Sequence, residues 1–285
     1  MTALGAPHHA GLAAADDAPG RRRIATPDRA RSWATHTIGR GALLGRERPR
    51  GDDPAAAGRA KRAILLDALG TLVRFEDPAP LLRSALSERH GVEVGLEDAR
   101  AAVRAEIAAY RRLHGQAGDA AALAVLRRTC ATVVRDTLGA PAAALGADEL
   151  VPTLVDCFRF APFPEVHGVL DTLRARGHAL AVVSNWDVSL HDVLERVGLA
   201  ARLDAVVISA ELGIAKPDPA PFWRALELLG ASAAGALHAG DQLDEDVAGA
   251  RTAGVRPVLV ARDGASPPPG VAVVRTLEGL LDLAP

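Results

Sequence analysis

From Phe163 onward the chain alternates between helix and strand with short connections, and that alternation most limits what it can fold into. PEVHGVLDTLRARG reads as a helix closed by Gly177, ALAVVSN as a strand, SLHDVLERVG as a helix and DAVVIS as a strand. APFWRALELLG, GALHAGD, DEDVAGARTAG and RPVLVA continue the pattern as helix, strand, helix and strand. Such alternation implies parallel strands joined by right-handed crossovers. The spacing predicts an α/β fold: a Rossmann-like parallel sheet with helices on both faces. Pro217, Pro219 and Pro221 predict that the helix after them does not begin before about Phe222.

A further strand is expected at Ala63 to Leu66, a short continuous apolar run of the kind buried on both faces of a parallel sheet. After Pro78 and Pro80 the period changes to that of helices. Leu81, Leu82, Ala85 and Leu86 share a face, as do Ala99, Val103, Ile107 and Tyr110. Leu123, Leu126, Cys130 and Val134 form a third set, and Leu150, Leu154, Val155 and Phe158 a fourth. The expectation is a helical insert over 78–159, with an α/β core over 61–77 and 160–285. Tyr110 and Cys130 are expected in the core of that insert.

Residues 1–60 carry no sustained period of either kind and are rich in Ala, Gly, Arg, Asp and Pro. They cannot bury an apolar stripe, so they are expected to be disordered. Arg21, Arg22 and Arg23 read as a solvated run, and His8 and His9 are too isolated for a metal site. The net charge of −2 supports neither nucleic acid nor a membrane surface as a partner. No apolar run reaches the ~18 residues of a membrane span. Two cysteines with no CxxC, and no basic segment leading into an apolar one at the start, point to a cytoplasmic chain.

Each strand of interest ends in a polar residue. The first ends in Asp67, another in Ser184 and Asn185, another in Gly240 and Asp241. Ligands bind at the carboxyl ends of parallel strands. Lys216, one of two lysines in the chain, sits in the loop GIAKPDPAPF before a helix, where it can join them. A position that keeps lysine in an arginine-rich chain suits a compact point charge. Singly, these residues are most simply read as turn, cap and first-turn residues.

Together, in order, DALGTL, VVSN, KPDP and GDQLDED resemble the four motifs of the haloacid dehalogenase superfamily of hydrolases, with the helical insert in the place of that family's C1 cap. The resemblance implies a magnesium-dependent phosphatase acting on a small phosphorylated metabolite. It assigns Asp67 as nucleophile, through an aspartyl-phosphate, and Thr71, Ser184 and Asn185 as groups orienting the phosphoryl. Lys216 would neutralise charge. Magnesium would be held by Asp67, Asp241, the backbone carbonyl of Leu69, and Asp246 as a further ligand or a supporting acid.

Leu69 stands where the family's phosphatases have a second aspartate, which protonates the leaving oxygen. General acid–base catalysis is worth about 10² to 10⁴ in rate. Three readings therefore stay open. One is a phosphatase with a good leaving group, or with an acid from elsewhere, for which Asp187, Glu211 and His238 are candidates. Another is a dehalogenase, whose halide needs no proton. The third is a non-catalytic binder of phosphorylated ligands. The acidic fourth motif favours the first.

Overall fold

The computed structural model describes residues 61–264 and 269–285. The segment 1–60, expected to be disordered, lies outside the described residues. Strand β1 (Ala63–Leu66) is the apolar run, buried along its whole length. After it come β2 (Val73–Phe75) and the helices α1 (Pro78–His90), α2 (Leu96–Leu113), α3 (Ala120–Leu138) and α4 (Ala147–Cys157). The chain then forms β3 (Phe160–Pro162), α5 (Val166–Ala175), β4 (Ala179–Ser184), α6 (Leu190–Arg196), β5 (Ala205–Ile208), the short α7 (Ser209–Leu212) and α8 (Ala220–Leu229). It closes with β6 (Ala236–Gly240), a π-helical turn over Leu243–Ala248, α9 (Gly249–Ala253), β7 (Arg256–Val260), β8 (Ala272–Val274) and α10 (Leu280–Leu283).

Six strands form one parallel sheet in the order β5-β4-β1-β6-β7-β8. Side chains alternate across it. Leu66, Leu180 and Val182 meet Leu170 and Leu190 on one face, and Leu65, Ala181 and Val183 meet Phe222 and Leu226 on the other. This is the α/β architecture the alternation predicts. β1 lies between β4 and β6, with Leu66 level with Val182 and Ala239. The amide of Asp67 continues the ladder, donating to the Ala239 carbonyl at 2.9 Å. The register therefore carries Asp67, Ser184 and Asp241 to the same carboxyl edge of the sheet.

The helices between β2 and β3 have their own apolar core, built from Leu82, Leu86, Val103, Val134, Leu150 and Leu154 among others. Local chemistry starts and stops them. The Asp77 side chain accepts from Ala79 N at 3.1 Å at the start of α1, and Gly91 ends it in the left-handed conformation.

Three features depart from the sequence reading. β2 and β3 pair antiparallel where the chain enters and leaves the helices, Val73 opposite Pro162 and Phe75 opposite Phe160. Three-residue strands are too short to show a period; the same holds for β8. Helix α8 begins at Ala220 rather than Phe222, with Pro221 in its first turn. First-turn N–H groups have no intrahelical acceptor, so a proline there removes nothing. Finally, DEDVAGARTAG is not one regular helix. The amides of Asp246 and Val247 both donate to the Gln242 carbonyl, at 3.0 and 3.2 Å, and the first turns widen into a π-helical segment.

Candidate active site

Lys216 reaches under the carboxyl edge and joins two acids. Its ammonium nitrogen Nζ lies 2.7 Å from Asp67 Oδ1 and 2.6 Å from Asp246 Oδ1, and its side chain is 1% exposed. Ser184 Oγ donates to the same Asp67 oxygen at 3.0 Å. Asp67 Oδ1 is thus anchored by two donors, while neither bond involves Oδ2. Asp246 is held on both oxygens. His238 Nε2 lies 2.9 Å from Oδ1, and the Gln242 amide donates to Oδ2 at 2.9 Å.

Two glycines make room for this cluster. Gly70 turns the chain after Asp67 with φ of +80°, and a Cβ there would fall 2.4 Å from Asp241 Oδ2. A Cβ on Gly240 would fall 2.1 Å from Asp246 Cγ. The wide π-helical turn and the bare Gly240 backbone together let Asp246 fold back beneath the sheet edge. The turn after Asp67 is also held from outside by Arg262, which the sequence reading did not single out. Its Nε donates to the Gly70 carbonyl at 3.0 Å and its Nη2 to the Thr71 carbonyl at 2.7 Å. The same guanidinium pairs with Glu165 at 2.8 Å and lies 3.4 Å over the Phe163 ring. No local pattern marks this arginine, because its partners are about 100 and 190 residues away.

The charges at this edge do not cancel. One ammonium faces the carboxylates of Asp67, Asp246 and Asp241. Burial pushes the Asp67 carboxyl up to about 6, against the pull of Lys216 and helped by Asp246. Burial also raises Asp241. For Asp246 burial acts upward too, but Lys216 and His238 outweigh it and hold the carboxyl well below its usual range. Burial opposes the charge on Lys216, yet Asp67 and Asp246 keep its pKa above the ordinary value. One oxygen from each of Asp67, Asp241 and Asp246 lies within 4.8 Å of the others. A set of hard oxygen donors with excess negative charge fits a divalent cation such as Mg²⁺.

Not every expected contact is made as expected. Asn185, which the resemblance assigns to orienting a phosphoryl group, lines the cavity and makes three hydrogen bonds of its own. Nδ2 donates to the Lys216 carbonyl at 2.9 Å and to Glu245 Oε2 at 2.8 Å, and Oδ1 accepts from the Lys216 amide at 2.8 Å. Asn185 therefore positions the lysine loop. Glu245, which it holds, sits inside GDQLDED between Asp241 and Asp246, and no spacing in the sequence marks it. Thr71 is fully buried and its hydroxyl has no partner among the described residues. The Gly70 turn carries it inward, off the cavity wall.

A cavity of about 500 Å³ opens above this edge, with Asp67, Leu69, Asp241 and Glu245 on its floor and helices α2, α3 and α4 above. Of the candidate acids, only Asp187 lines it. Each Asp187 oxygen accepts a hydrogen bond, Oδ2 from the Tyr110 hydroxyl at 2.7 Å and Oδ1 from the Ser189 amide at 2.7 Å. Glu211 lies 3.0 Å from His191 instead, and His238 is fully buried against Asp246 and the edge of the Phe222 ring. Tyr110 and Cys130 are not simply interior to the helices, since both line the cavity.

A parallel sheet that takes a helical insert after its first strand, with an acid closing that strand beside a buried lysine, is the plan of one class of α/β hydrolases. Residues 61–254 match the haloacid dehalogenase-like hydrolases, and the chain belongs to that family. It is 32% identical over 208 residues to the bovine (Bos taurus) haloacid dehalogenase-like hydrolase domain-containing protein 3, covering 70% of this chain and 82% of that protein. It is 41% identical over 123 residues to phosphoserine phosphatase of Thermus thermophilus, covering 41% of this chain and 49% of that enzyme. The chain thus spans about half the length of that relative. Among solved structures, a 2-haloacid dehalogenase from Pseudomonas syringae pv. Tomato superposes with a TM-score of 0.56 at 25% identity, over 78% of this chain and 97% of that one. Among the described residues no helix is long and apolar enough to cross a membrane.

Proposed function

We propose that this hydrolase is a magnesium-dependent phosphatase that cleaves a small phosphorylated metabolite through an aspartyl-phosphate at Asp67. The observation that carries this reading is Lys216 Nζ within 2.7 Å of Asp67 Oδ1, beside an acidic group fit for a divalent cation. We assign the α/β core to 61–77 and 160–285 and the cap to 78–159. The cation would be held by Asp67, Asp241 and the Leu69 carbonyl, with Asp246 in support because its oxygens already accept from Lys216, His238 and Gln242. When bound, it would neutralise phosphate charge that the single lysine leaves unbalanced. The free thiols of Cys130 and Cys157, both buried, suit a cytoplasmic setting.

In this reading Asp67 Oδ2 is the attacking atom, because Ser184 and Lys216 anchor Oδ1. Oδ2 forms a bond to phosphorus and the bond to the leaving oxygen breaks, that oxygen taking the electron pair. Water then attacks phosphorus of the acyl phosphate, releasing phosphate and the Asp67 carboxylate. The covalent route divides one hard displacement into two. Lys216, buried and dry, stabilises the charge on the transferring oxygens without reorganising.

The floor residue Leu69 favours a second reading, a dehalogenase, since a halide departs without a proton. The uncompensated carboxylates favour phosphoryl chemistry. Phosphate release from an aryl phosphate, dependent on magnesium and stopped by a chelator, tests the first. Halide release from 2-haloacids without metal, and no phosphate release, would replace it with the second.

A further inference from the structure

The cavity's upper wall is mostly apolar, with Ile107, Leu123, Leu126, Leu154 and Phe158 supplied by the helices. Phe160 and Trp186, their ring centroids 5.1 Å apart, continue that surface toward the floor. A volume of about 500 Å³ holds a drug-sized body and not a phosphate alone. Within this wall stands one carboxyl, Glu106 on α2, which is 7% exposed; the basic side chains that also line the cavity are Arg111, His114, Arg127 and Arg196. Among the described residues none of these four makes an ion pair with Glu106, whose one side-chain hydrogen-bonding neighbour is the Cys130 thiol, a weak donor. Burial accordingly pushes the Glu106 carboxyl up to about 7. The other acids of the cavity are answered: Asp67 by Lys216, Asp187 by Tyr110, Asp241 by Gln242 and Glu245 by Asn185. A buried carboxyl on a mostly apolar cavity wall, hydrogen-bonded only to a thiol, stands ready to accept from a ligand.

We infer that the substrate is an aryl phosphate whose apolar body carries an amino group, and that Glu106 determines specificity by receiving that group. This rests on the phosphatase reading for the phosphate end only. The aromatic ester follows from Leu69, which offers no proton to the leaving oxygen, so a weakly basic phenoxide is required. The amine follows from Glu106, whose carboxylate becomes the stable form once an ammonium stands beside it.

The test compares tyramine O-phosphate with para-ethylphenyl phosphate, which has the same ring and no amine. Their kcat/KM values are measured with magnesium. Affinities of the corresponding non-hydrolysable phosphonates are measured by calorimetry, so that binding is read without turnover. Wild type should favour the amine by about tenfold or more in both measurements, as expected for a buried charged hydrogen bond. Glu106→Gln, of equal shape, should bring the ratio toward one. A wild-type ratio near one in both measurements overturns the inference, and that comparison needs no variant to fold. Turnover of both esters without discrimination would leave the phosphatase reading standing. No turnover of either, with the tenfold difference in affinity intact, would sink the phosphatase reading and keep Glu106 as the specificity residue.

Discussion

The Tyr110 hydroxyl donates to Asp187 Oδ2 at 2.7 Å, joining α2 to the loop that follows β4. Asp187 is 2% exposed even though it borders the cavity, so little water reaches the oxygen if the donor is lost. Tyr110→Phe should destabilise the protein by roughly 1 to 3 kcal/mol, the cost of one unsatisfied buried acceptor. Urea denaturation of the two proteins measures it. No loss of stability would mean that water satisfies Asp187 and the contact is not structural.

Lys216 sits between Asp67 and Asp246 with 1% of its side chain exposed. Lys216→Met should abolish turnover and destabilise by roughly 3 kcal/mol, because two buried carboxylates lose their counter-charge. Lys216→Arg should not rescue activity, since a planar fork replaces a point charge in a closed site. Phosphate release and denaturation midpoints check both. An arginine variant with near wild-type turnover would show that any cation suffices.

Asp67 and Asp241 should fail differently. Asp67→Asn removes the attacking oxygen's charge, so turnover should stay lost at every magnesium concentration. Asp241→Asn weakens only the proposed cation site, so added magnesium should restore part of the rate. Magnesium titrations of the two variants decide this. Near wild-type turnover by Asp67→Asn would rule out covalent catalysis at that residue.

Leu69 lines the cavity floor where a proton donor would serve the leaving oxygen. With chemistry rate-limiting, wild-type kcat/KM should fall steeply as the leaving group becomes more basic. Leu69→Asp should flatten that dependence and speed alkyl phosphates by about tenfold or more, within the roughly 10² to 10⁴ a general acid supplies. The neighbouring carboxylates and the apolar wall would raise the new carboxyl's pKa and keep more of it protonated for donation at neutral pH. A flat wild-type dependence would mean that another residue already gives the proton, and Asp187 is the one candidate acid on the cavity wall.

Glu106 makes stability depend on pH. Burial moves its carboxyl from 4.5 to about 7, so the folded state binds the proton more tightly than the unfolded chain. The stability tied to the protonated form is fully present below about pH 4.5 and is lost as pH rises through about 7. Between those limits wild type should lose up to roughly 3 kcal/mol relative to Glu106→Gln. Denaturation of both proteins at pH values across this window provides the comparison. A constant difference would show that the fold does not hold Glu106 protonated above its ordinary pKa.

The alternation after Phe163 and the run at Ala63 to Leu66 determined the parallel sheet, because burial on both faces and short crossovers leave few other arrangements. The polar residues closing those strands come together at one carboxyl edge, as parallel register requires. The four sets of helical spacing fall on α1 to α4, where Leu82, Leu86, Val103, Val134, Leu150 and Leu154 share an apolar core and Ile107, Leu123, Leu126 and Phe158 face the cavity. Tertiary structure decided what each polar residue touches. Asn185 faces the lysine loop, Thr71 turns inward, and Asp246 lies under Gly240 through a widened turn that no period reveals. Arg262 finds the Gly70 and Thr71 carbonyls only because β7 lies one strand from β6, which itself pairs with β1. Glu106 reads in the sequence as one more helical acid, and only the packing of α2 against α3 buries it in the cavity wall beside Cys130. Periodicity reports which face of an element is apolar. It carries no information on the long-range partner of a polar atom, which depends on how separate elements close over one another.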